Sequence, residues 1–323
     1  MAKEKISEAK PVINDLIFKE LIKRGYSLEG KTRVWNIADS KLWYLTPDQA
    51  QAFLDLEEKD PKQKMFLKKE VELIKAKFNE LFFGSAESKI NIVDLGCGDG
   101  VKARAFIDSF KDKSLIRYCP IDISEYMVNK TISTFSKMKE LNILKLKNNV
   151  IDFLDFKKIE SSLRQGDFKT NYILLLGGSL ENSDAHELLH EIRSSMNESD
   201  VLLIGNKLTH PNPEKMVEYY THNDCINSML IKTIEQLGLN TKKVKYGARY
   251  HGNRIEMYYT INEDIALSSN DKKIDFAKGD KIIVTISYKY DKQSLSELLM
   301  MYFSNVQVIT TEDGSYALAL CKK

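Results

Sequence analysis

The stretch from Asn91 to Arg104, NIVDLGCGDGVKAR, places an apolar run directly before three glycines that alternate with other residues. The apolar run is typical of a buried strand, and the residues after the glycines are typical of a helix. Glycine lets the backbone approach a ligand closely, and the start of the following helix favours anionic groups. The stretch therefore predicts a strand, a turn and a helix that bind a nucleotide-like cofactor.

Short apolar strands alternate with helical segments from residue 89 to residue 208. Such alternation indicates a parallel, doubly wound sheet that is covered on both faces. It stops at residue 209 and returns near the end of the chain as a helix at 292–302 and two strands joined by an Asp-Gly turn, which is typical of a hairpin. We expect an α/β fold with a mostly parallel sheet and an antiparallel C-terminal strand.

The interruption after residue 208 predicts a second, smaller domain, since 323 residues are long for one core. We assign residues 61–208 and 288–323 to the cofactor-binding domain. Residues 1–60 and 209–287 are assigned to a substrate-binding domain. Within this second set, residues 1–60 are expected to form short helices joined by loops, and residues 242–261 two antiparallel strands.

The composition excludes several partner classes. Lys and Arg number 48 against 46 Asp and Glu, so the chain lacks the excess positive charge that nucleic-acid binding requires. The four cysteines form no C-x-x-C pair, the N-terminus has no apolar core of a signal peptide, and no window matches a membrane span. We expect a cytoplasmic monomer that acts on a small molecule and binds neither nucleic acid nor a membrane.

The spacing of acidic residues narrows the choice of cofactor. The glycines read G-x-G-x-G, with Asp94 two residues before Gly96. A dinucleotide fingerprint instead reads G-x-G-x-x-G, with an acid about 20 residues later. Asp122 and Asp152 close the next two predicted strands, and Asp122 fits the ribose contact of either cofactor class. A nicotinamide enzyme therefore remains the rival interpretation at this point.

A second motif, HELLH at residues 186–190, matches the H-E-x-x-H pattern of zinc proteases on a predicted helix. The two histidines would share one helix face, as metal ligands must. Only three positions are specified, however, and no third histidine follows at a suitable spacing. The apolar residues of this segment also form a stripe that can cover the sheet, so we expect no metal site.

The glycine turn followed by Asp122 and Asp152 resembles the S-adenosylmethionine pocket of class I methyltransferases. Further segments resemble the histidine-specific N-alpha-methyltransferases of ergothioneine biosynthesis across nearly the whole chain. The matching segments are Lys102 and Arg104 after the glycines, PIDIS (120–124), DF (152–153), GGSLEN (177–182), RIEM (254–257), SYKY (287–290) and WYLTPDQ, which contains Tyr44.

This resemblance implies roles for particular residues. It places the cofactor, S-adenosyl-L-methionine, against Asp94, Gly96, Gly98, Lys102, Asp122, Asp152, Phe153 and Gly177. It places the acceptor against Tyr44, Ser179, Asn182, Tyr220, Met257, Thr285 and Ser287, with Asn182 and Tyr44 as the catalytic pair. Lys102 is expected to meet the carboxylate of the cofactor, and Asn182 the amino or carboxylate group of the acceptor.

The chain departs from the family pattern at the acceptor end. Thr285 stands where the family has a glutamate that recognises the imidazole of histidine, and Asn206 and Lys207 replace an acidic segment after the fifth strand. A hydroxyl cannot supply the charge-assisted hydrogen bond of a carboxylate, which is worth about 1.5–3 kcal/mol. We therefore expect methylation of the alpha-amine of an amino acid or derivative, with an aromatic or apolar side chain favoured over histidine.

Two other functions stay open on the sequence alone. One is a methyltransferase for protein or RNA, against which the balanced charge argues. The other is a cofactor-binding relative without catalytic activity, against which the retained Gly96, Asp122, Asp152 and Asn182 argue.

Overall fold

The computed structural model describes residues 14–82, 89–146, 149–209, 212–269 and 271–323. Its helices are α1 (Asp15–Arg24), α2 (Pro47–Lys59), α3 (Pro61–Phe82), α4 (Val101–Asp108), α5 (Glu125–Phe135), α6 (Lys157–Leu163), α7 (Ala185–Ser195), α8 (Pro213–Thr221), α9 (Asp224–Gln236) and α10 (Lys292–Met300). Its strands are β1 (Tyr26–Glu29), β2 (Thr32–Asn36), β3 (Ile90–Leu95), β4 (Ile116–Ile121), β5 (Asn142–Ile143), β6 (Thr170–Leu175), β7 (Val201–Lys207), β8 (Val244–His251), β9 (Arg254–Ile261), β10 (Ile265–Ser269), β11 (Lys272–Phe276), β12 (Lys281–Tyr288), β13 (Asn305–Thr310) and β14 (Tyr316–Lys322).

Seven strands form the larger sheet, in the order β13-β14-β7-β6-β3-β4-β5. The five strands from β7 to β5 run parallel, and β14 runs antiparallel to both β7 and β13. Helices α6, α7 and α10 supply buried apolar residues to one face, and α3 and α4 supply them to the other. The predicted doubly wound α/β fold with an antiparallel C-terminal strand is therefore confirmed.

A second sheet has five strands in the order β1-β2-β12-β9-β8. Helices α1, α8 and α9 contribute to its apolar core. The two antiparallel strands expected at 242–261 are confirmed as β8 and β9. All strands of this sheet lie in residues assigned to the substrate-binding domain, except that β12 ends one residue beyond; the exact domain boundaries remain a prediction.

The expectation of helices and loops throughout residues 1–60 is wrong for residues 26–36, which form the hairpin of β1 and β2. All four residues of β1 are exposed, so no apolar alternation marks the strand. The hairpin is held by β12, which pairs in parallel with β2 at residues 34–36 and 281–283. This contact is distant in sequence, and a local pattern does not reveal it. Residues 1–13 lie outside the described part of the chain.

Both sheets contribute to the same region of the molecule. The parallel strands β3, β4, β6 and β7 end at one edge of the larger sheet, and the loops that follow them face β12 and the segment before α2. Trp43 of this segment donates from Nε1 to the carbonyl of Val284 in β12 at 2.9 Å. None of the described helices has the length and apolar content needed to cross a bilayer.

A buried ion pair stabilises the opposite side of the larger sheet. Asp200 is fully buried and accepts hydrogen bonds from Arg164 Nη1 at 3.0 Å, from the Asn171 backbone at 2.8 Å and from the Asn197 backbone at 2.7 Å. These contacts join α6 to the starts of β6 and β7. Removing Asp200 would leave Arg164 with only the more exposed Glu160 as a carboxylate partner among the described residues, and would leave the backbone N–H groups of Asn171 and Asn197 without this acceptor.

We expect Asp200→Ala to lower the free energy of unfolding by about 3–5 kcal/mol, measured by urea denaturation. Asp167→Ala is the matched control, because Asp167 also pairs with a cation, Lys89 at 2.8 Å, but its side chain is 77% exposed. The control should leave the stability nearly unchanged. A loss from Asp200→Ala no larger than that of the control would contradict the role assigned to the buried pair.

Candidate functional site

The glycine turn after β3 is fixed by backbone hydrogen bonds to the neighbouring strand. The N–H groups of Gly96 and Cys97 both donate to the carbonyl of Ile121, at 2.8 and 3.0 Å. Gly96, Gly98 and Gly100 all have positive φ angles, which favour glycine. A Cβ on Gly100 would lie 2.7 Å from the ring of Phe135, whereas the space beside Gly98 is open. The turn thus packs on one side and exposes its backbone on the other.

The open side of the turn faces a cavity of about 450 Å³. This volume is in the range of sites that bind cofactors and small molecules. The larger sheet supplies Gly96, Gly98, Lys102, Asp122, Asp152, Phe153, Gly177, Ser179 and Asn182 to its wall, and the opposite wall includes Asp39, Lys41, Tyr44, Arg254 and Tyr288. All but one of the predicted cofactor residues therefore come together around one space.

Asp122 is the most buried carboxylate in this wall. It accepts hydrogen bonds from the backbone N–H groups of Gly98 at 3.2 Å and Ser124 at 2.9 Å. Burial raises the pKa of Asp122 to about 6, although these hydrogen bonds oppose the rise. Asp152 also lines the cavity, where it accepts a hydrogen bond from the backbone of Leu154 at 3.1 Å.

Asp94 is the exception, since it does not line the cavity. Its carboxylate is buried behind the glycine turn and accepts a hydrogen bond from the Tyr118 hydroxyl at 2.7 Å. Burial raises the pKa of Asp94 to about 7 against the opposing effect of Tyr118. This position suits a residue that supports the turn, and the direct cofactor contact inferred from the sequence stays a prediction.

Lys102 lines the cavity, but its charge is already matched. Its Nζ lies 2.8 Å from Oε1 of Glu57, and the carboxyl of Glu70 lies nearby. Burial lowers the pKa of Lys102, but these two carboxylates raise it by more, so the net shift is upward. The expected contact of Lys102 with the cofactor carboxylate also stays a prediction, because Glu57 holds the ammonium in this arrangement.

A smaller recess of about 80 Å³ shares Trp43, Phe53, Gly177 and Asn182 with the cavity. One part of its wall is apolar and comprises Leu56, Ile226, Met229, Leu230 and Met257. The other part is polar and comprises Glu57, Gln63, Glu181, Lys207, Tyr220, Thr285 and Ser287. Of the predicted acceptor residues, Tyr220, Met257, Thr285 and Ser287 line the recess, Tyr44 and Ser179 line the cavity, and Asn182 lines both.

Thr285 is buried in the recess wall, and its Oγ1 has no hydrogen-bond partner within the described residues. The pairing register between β12 and β9 shifts between Ile283 and Thr285, an irregularity of the kind that re-aims side chains next to functional sites. An unpaired buried hydroxyl costs stability unless a ligand or water satisfies it. Thr285 is therefore a candidate contact for a neutral polar group of a ligand.

Tyr44 lies in the cavity wall against the ring of Phe53, with the ring centroids 5.3 Å apart. Burial raises the pKa of Tyr44 well above its usual value, and the carboxylates of Asp122 and Glu57 raise it further. The phenol therefore stays protonated and keeps its ability to donate a hydrogen bond.

Sequence reasoning missed three charged residues in the wall of the recess, Glu57, Glu181 and Lys207, and a fourth, Lys289, which contacts Glu181 behind it. Glu181 and Lys289 lie inside the GGSLEN and SYKY segments, so these motifs contained the signal. Lys207 replaces part of an acidic segment of the family, so the resemblance implies no role for its side chain. Glu57 lies in the polar helix α2, and no sequence feature distinguishes it from the other charged residues there.

The HELLH segment forms helix α7, as expected, and its apolar residues Leu188, Leu189 and Ile192 are buried against the sheet. Both histidines are exposed, and Nδ1 of His186 lies 2.7 Å from the hydroxyl of Tyr302. Among the residues that the structure describes, no three His, Cys, Asp or Glu side chains are arranged to hold a metal ion.

Several solved structures resemble this chain at low similarity. An S-adenosylmethionine-dependent methyltransferase from Clostridium acetobutylicum ATCC 824 is 13% identical, with a TM-score of 0.45; the match covers 84% of this chain and 98% of that protein. The PH0226 protein from Pyrococcus horikoshii OT3 is 12% identical, with a TM-score of 0.44; the match covers 86% of this chain and 99% of that protein. The sugar N-methyltransferase KedS8 from Streptoalloteichus sp ATCC 53650 is 12% identical, with a TM-score of 0.40; the match covers 93% of this chain and 100% of that protein.

Sequence comparison gives the family directly. No curated protein matches the chain. A family model described as histidine-specific, S-adenosylmethionine-dependent methyltransferase matches residues 65–323, which include the glycine turn, the aspartates after β4 and β5, and strand β12. The exposed glycine backbone and the adjoining cavity fit the expected cofactor. The chain therefore belongs to the histidine-specific methyltransferase family, and it is an enzyme that uses S-adenosylmethionine.

Proposed function

We propose that the protein transfers a methyl group from S-adenosylmethionine to the alpha-amine of a free amino acid or a close derivative. The observation that carries this proposal is the recess of about 80 Å³ that shares Asn182 with the larger cavity. A donor in the cavity and an amino acid in the recess would meet at this side chain. The small volume of the recess favours a small acceptor over a protein or RNA chain.

The reaction requires mainly the correct placement of two groups. S-adenosylmethionine supplies a methyl group on a positively charged sulfur. Transfer would form a bond from the neutral acceptor amine to the methyl carbon while the carbon–sulfur bond breaks, and the proton of the methylated ammonium would pass to water. No covalent intermediate with the protein is needed, so the task of the enzyme is to hold the amine in line with that bond.

On the donor side, we assign the exposed backbone of Gly96 and Gly98 to the methionine part of the cofactor. Asp122 is assigned to the ribose hydroxyls, because its buried carboxylate lies beside the glycine turn. Asp152 is assigned to the adenine amine. Phe153 packs close to Gly96, where a Cβ would lie 3.0 Å from its ring, and closes the cavity at that side.

On the acceptor side, Asn182 ends a short 3₁₀ turn, Leu180–Asn182, after β6. Its Nδ2 donates to the carbonyl of Gly178 at 3.3 Å, which orients the amide. The Oδ1 atom has no partner within the described residues and can accept a hydrogen bond from the acceptor amine. Tyr44 would donate a hydrogen bond from its hydroxyl to the same amino-acid backbone from the opposite wall.

The side chain of the acceptor is assigned to the apolar part of the recess, beside Thr285. Met229, Leu230 and Met257 offer apolar contacts there, and Thr285 offers an unpaired hydroxyl. Neither group provides the charge-assisted hydrogen bond that an imidazole N–H would receive from a carboxylate. We therefore propose an aromatic or apolar amino acid as the preferred acceptor.

We further propose that a single chain is the working unit, since one chain supplies both walls of the cavity and the recess. The four cysteines are free thiols, in keeping with the cytoplasmic location expected from the sequence.

Incubation with labelled S-adenosylmethionine and a panel of amino acids tests the proposed function, with products identified by mass spectrometry. Label found only in macromolecules would overturn it.

Asn182→Ala should lower kcat/KM for the amino-acid acceptor by about 10- to 100-fold, because a hydrogen bond to a charged or reacting group is lost. The dissociation constant of S-adenosylmethionine, measured by calorimetry, should change less than about threefold. An equal loss of both affinities would show that Asn182 belongs to the donor site.

Thr285→Glu should raise kcat/KM for histidine by about tenfold or more, because the new carboxylate can accept a hydrogen bond from the imidazole. Thr285→Gln has nearly the same shape without the charge and should give no such gain. Steady-state kinetics with histidine and with the best acceptor of the panel measure both variants. Equal behaviour of the two variants would refute the assignment of Thr285 to the acceptor side chain.

The affinity for S-adenosylmethionine should fall as the pH drops through about 6, where Asp122 takes up a proton and can no longer accept hydrogen bonds from the ribose with a full charge. Below that pH the loss should approach tenfold per pH unit. Asp122→Asn should bind weakly and without this pH dependence, whereas Asp99→Asn on the same turn should keep it. Calorimetry between pH 5 and 8 tests this, and an unchanged pH profile in Asp122→Asn would contradict it.

A further inference from the structure

Two charged residues of the recess wall, Glu181 and Lys207, form a group of charges with Lys289, which lies behind that wall; we call this group the Glu181 cluster. Nζ of Lys289 lies 3.1 Å from Oε2 of Glu181, and Nζ of Lys207 lies 3.5 Å from Oε1. The side chains of Glu181 and Lys289 are only 3% and 6% exposed, and that of Lys207 is 18% exposed. One buried carboxylate thus faces two ammonium groups.

This cluster carries an excess positive charge. The other ion pair at the recess, Glu57 with Lys102, is compensated within itself and has the carboxyl of Glu70 beside it. The field of the two lysines also reaches Lys62, whose pKa is lowered by burial and further by Lys289 and Lys207. Two ammonium groups share one carboxylate in this cluster, so an anion within hydrogen-bond distance of Lys207 would be stabilised locally.

Lys289 has no capacity left for such an anion. Its ammonium also donates to Ser287 Oγ at 2.7 Å and to the Tyr220 hydroxyl at 3.1 Å, which, with Glu181, accounts for all three of its donors. It therefore acts as a fixed positive charge in the wall. The carboxylate of Glu181 is likewise shared between both lysines.

Lys207, in contrast, lines the recess and has a donor to spare. It donates to Gln63 Oε1 at 2.8 Å, and its second neighbour, Glu181, is at the longer distance of 3.5 Å. The ring of Phe66, whose centroid lies 5.5 Å away, provides no negative charge. An ammonium has three donors, so within the described residues one remains for a ligand in the recess.

We propose that Lys207 binds a carboxylate of the acceptor, and that Lys289 and Glu181 hold the charge and position of the cluster for this contact. The proposal rests on the proposed function, because it places the acceptor in the recess. Lys207, which replaces part of an acidic segment of the family, would then be a group that recognises the acceptor. The carboxylate is either the alpha-carboxylate of an amino acid or that of an acidic side chain.

The test uses Lys207→Gln in the full-length protein, with labelled S-adenosylmethionine as donor. The acceptors are L-amino acids, each paired with its alpha-carboxamide, and the side-chain pairs Glu with Gln and Asp with Asn. The variant should lower kcat/KM for the carboxylate acceptor by about 10- to 100-fold, mainly through KM, and change that for the matching amide less than threefold. Lys207→Arg should retain the preference for the carboxylate over the amide.

The pairs distinguish the two sources of the carboxylate. A preference that depends on Lys207 and is lost in the alpha-carboxamides assigns the contact to the alpha-carboxylate. A preference that depends on Lys207 and separates Glu from Gln or Asp from Asn assigns it to the side chain. Either result supports the role of Lys207, and the second would replace the aromatic or apolar acceptor proposed above with an acidic one.

Lys69→Gln is the matched control, because Lys69 also pairs with a carboxylate, that of Asp313, and is 21% exposed, but lines neither the cavity nor the recess. It should leave kinetics and cofactor affinity unchanged. An unaltered ratio of carboxylate to amide in Lys207→Gln, with wild-type affinity for S-adenosylmethionine, would overturn this inference alone. Cofactor binding without methylation of any amino acid or amide by the wild-type protein would overturn the proposed function and this inference with it.

Discussion

The parallel pairing of β2 with β12 is the contact on which the cavity wall opposite the glycine turn depends. It brings the segment that follows β2 onto a strand from the far end of the chain. Asp280, which is buried just before β12, strengthens the junction through an ion pair with Arg33 at 2.6 Å and a hydrogen bond from Trp35 at 3.4 Å. Without this junction, Trp43 and Tyr44 would have no fixed position over the glycine turn.

The site separates its charges into two groups of opposite balance. Around Lys102, which lines the cavity, two carboxyl groups face one ammonium: that of Glu57, which itself lines the recess, and that of Glu70. On the recess side, Glu181 stands between two lysines. A cofactor with a positive sulfonium and an acceptor with a negative carboxylate would meet complementary surroundings in these two places.

The sequence was most informative where structure is local. Strand β3, the glycine turn and helix α4 are contiguous, so their residues revealed the turn, and Asp122 followed from the end of the next strand. The prediction that Asp152 closes a third strand is wrong in detail, because β5 ends at Ile143 and, in the described part of the chain, only an isolated bridge between Val150 and Asp122 precedes Asp152. Asp94 shows the limit of this reasoning, because strand geometry turns its side chain behind the turn towards Tyr118. The hairpin of β1 and β2 and the roles of Glu57 and Lys207 depend on contacts between distant segments, which no local pattern encodes.

The origin of the recess wall has a consequence for how acceptor preference can vary. Trp43, Phe53, Leu56, Glu57 and Gln63 all precede residue 65, where the match to the family model begins. Part of the surface proposed to select the acceptor therefore lies outside the segment that identifies the family. Substitutions in residues 43–63 can retune the choice of substrate while the family signature stays intact, so membership alone does not fix the molecule that is methylated.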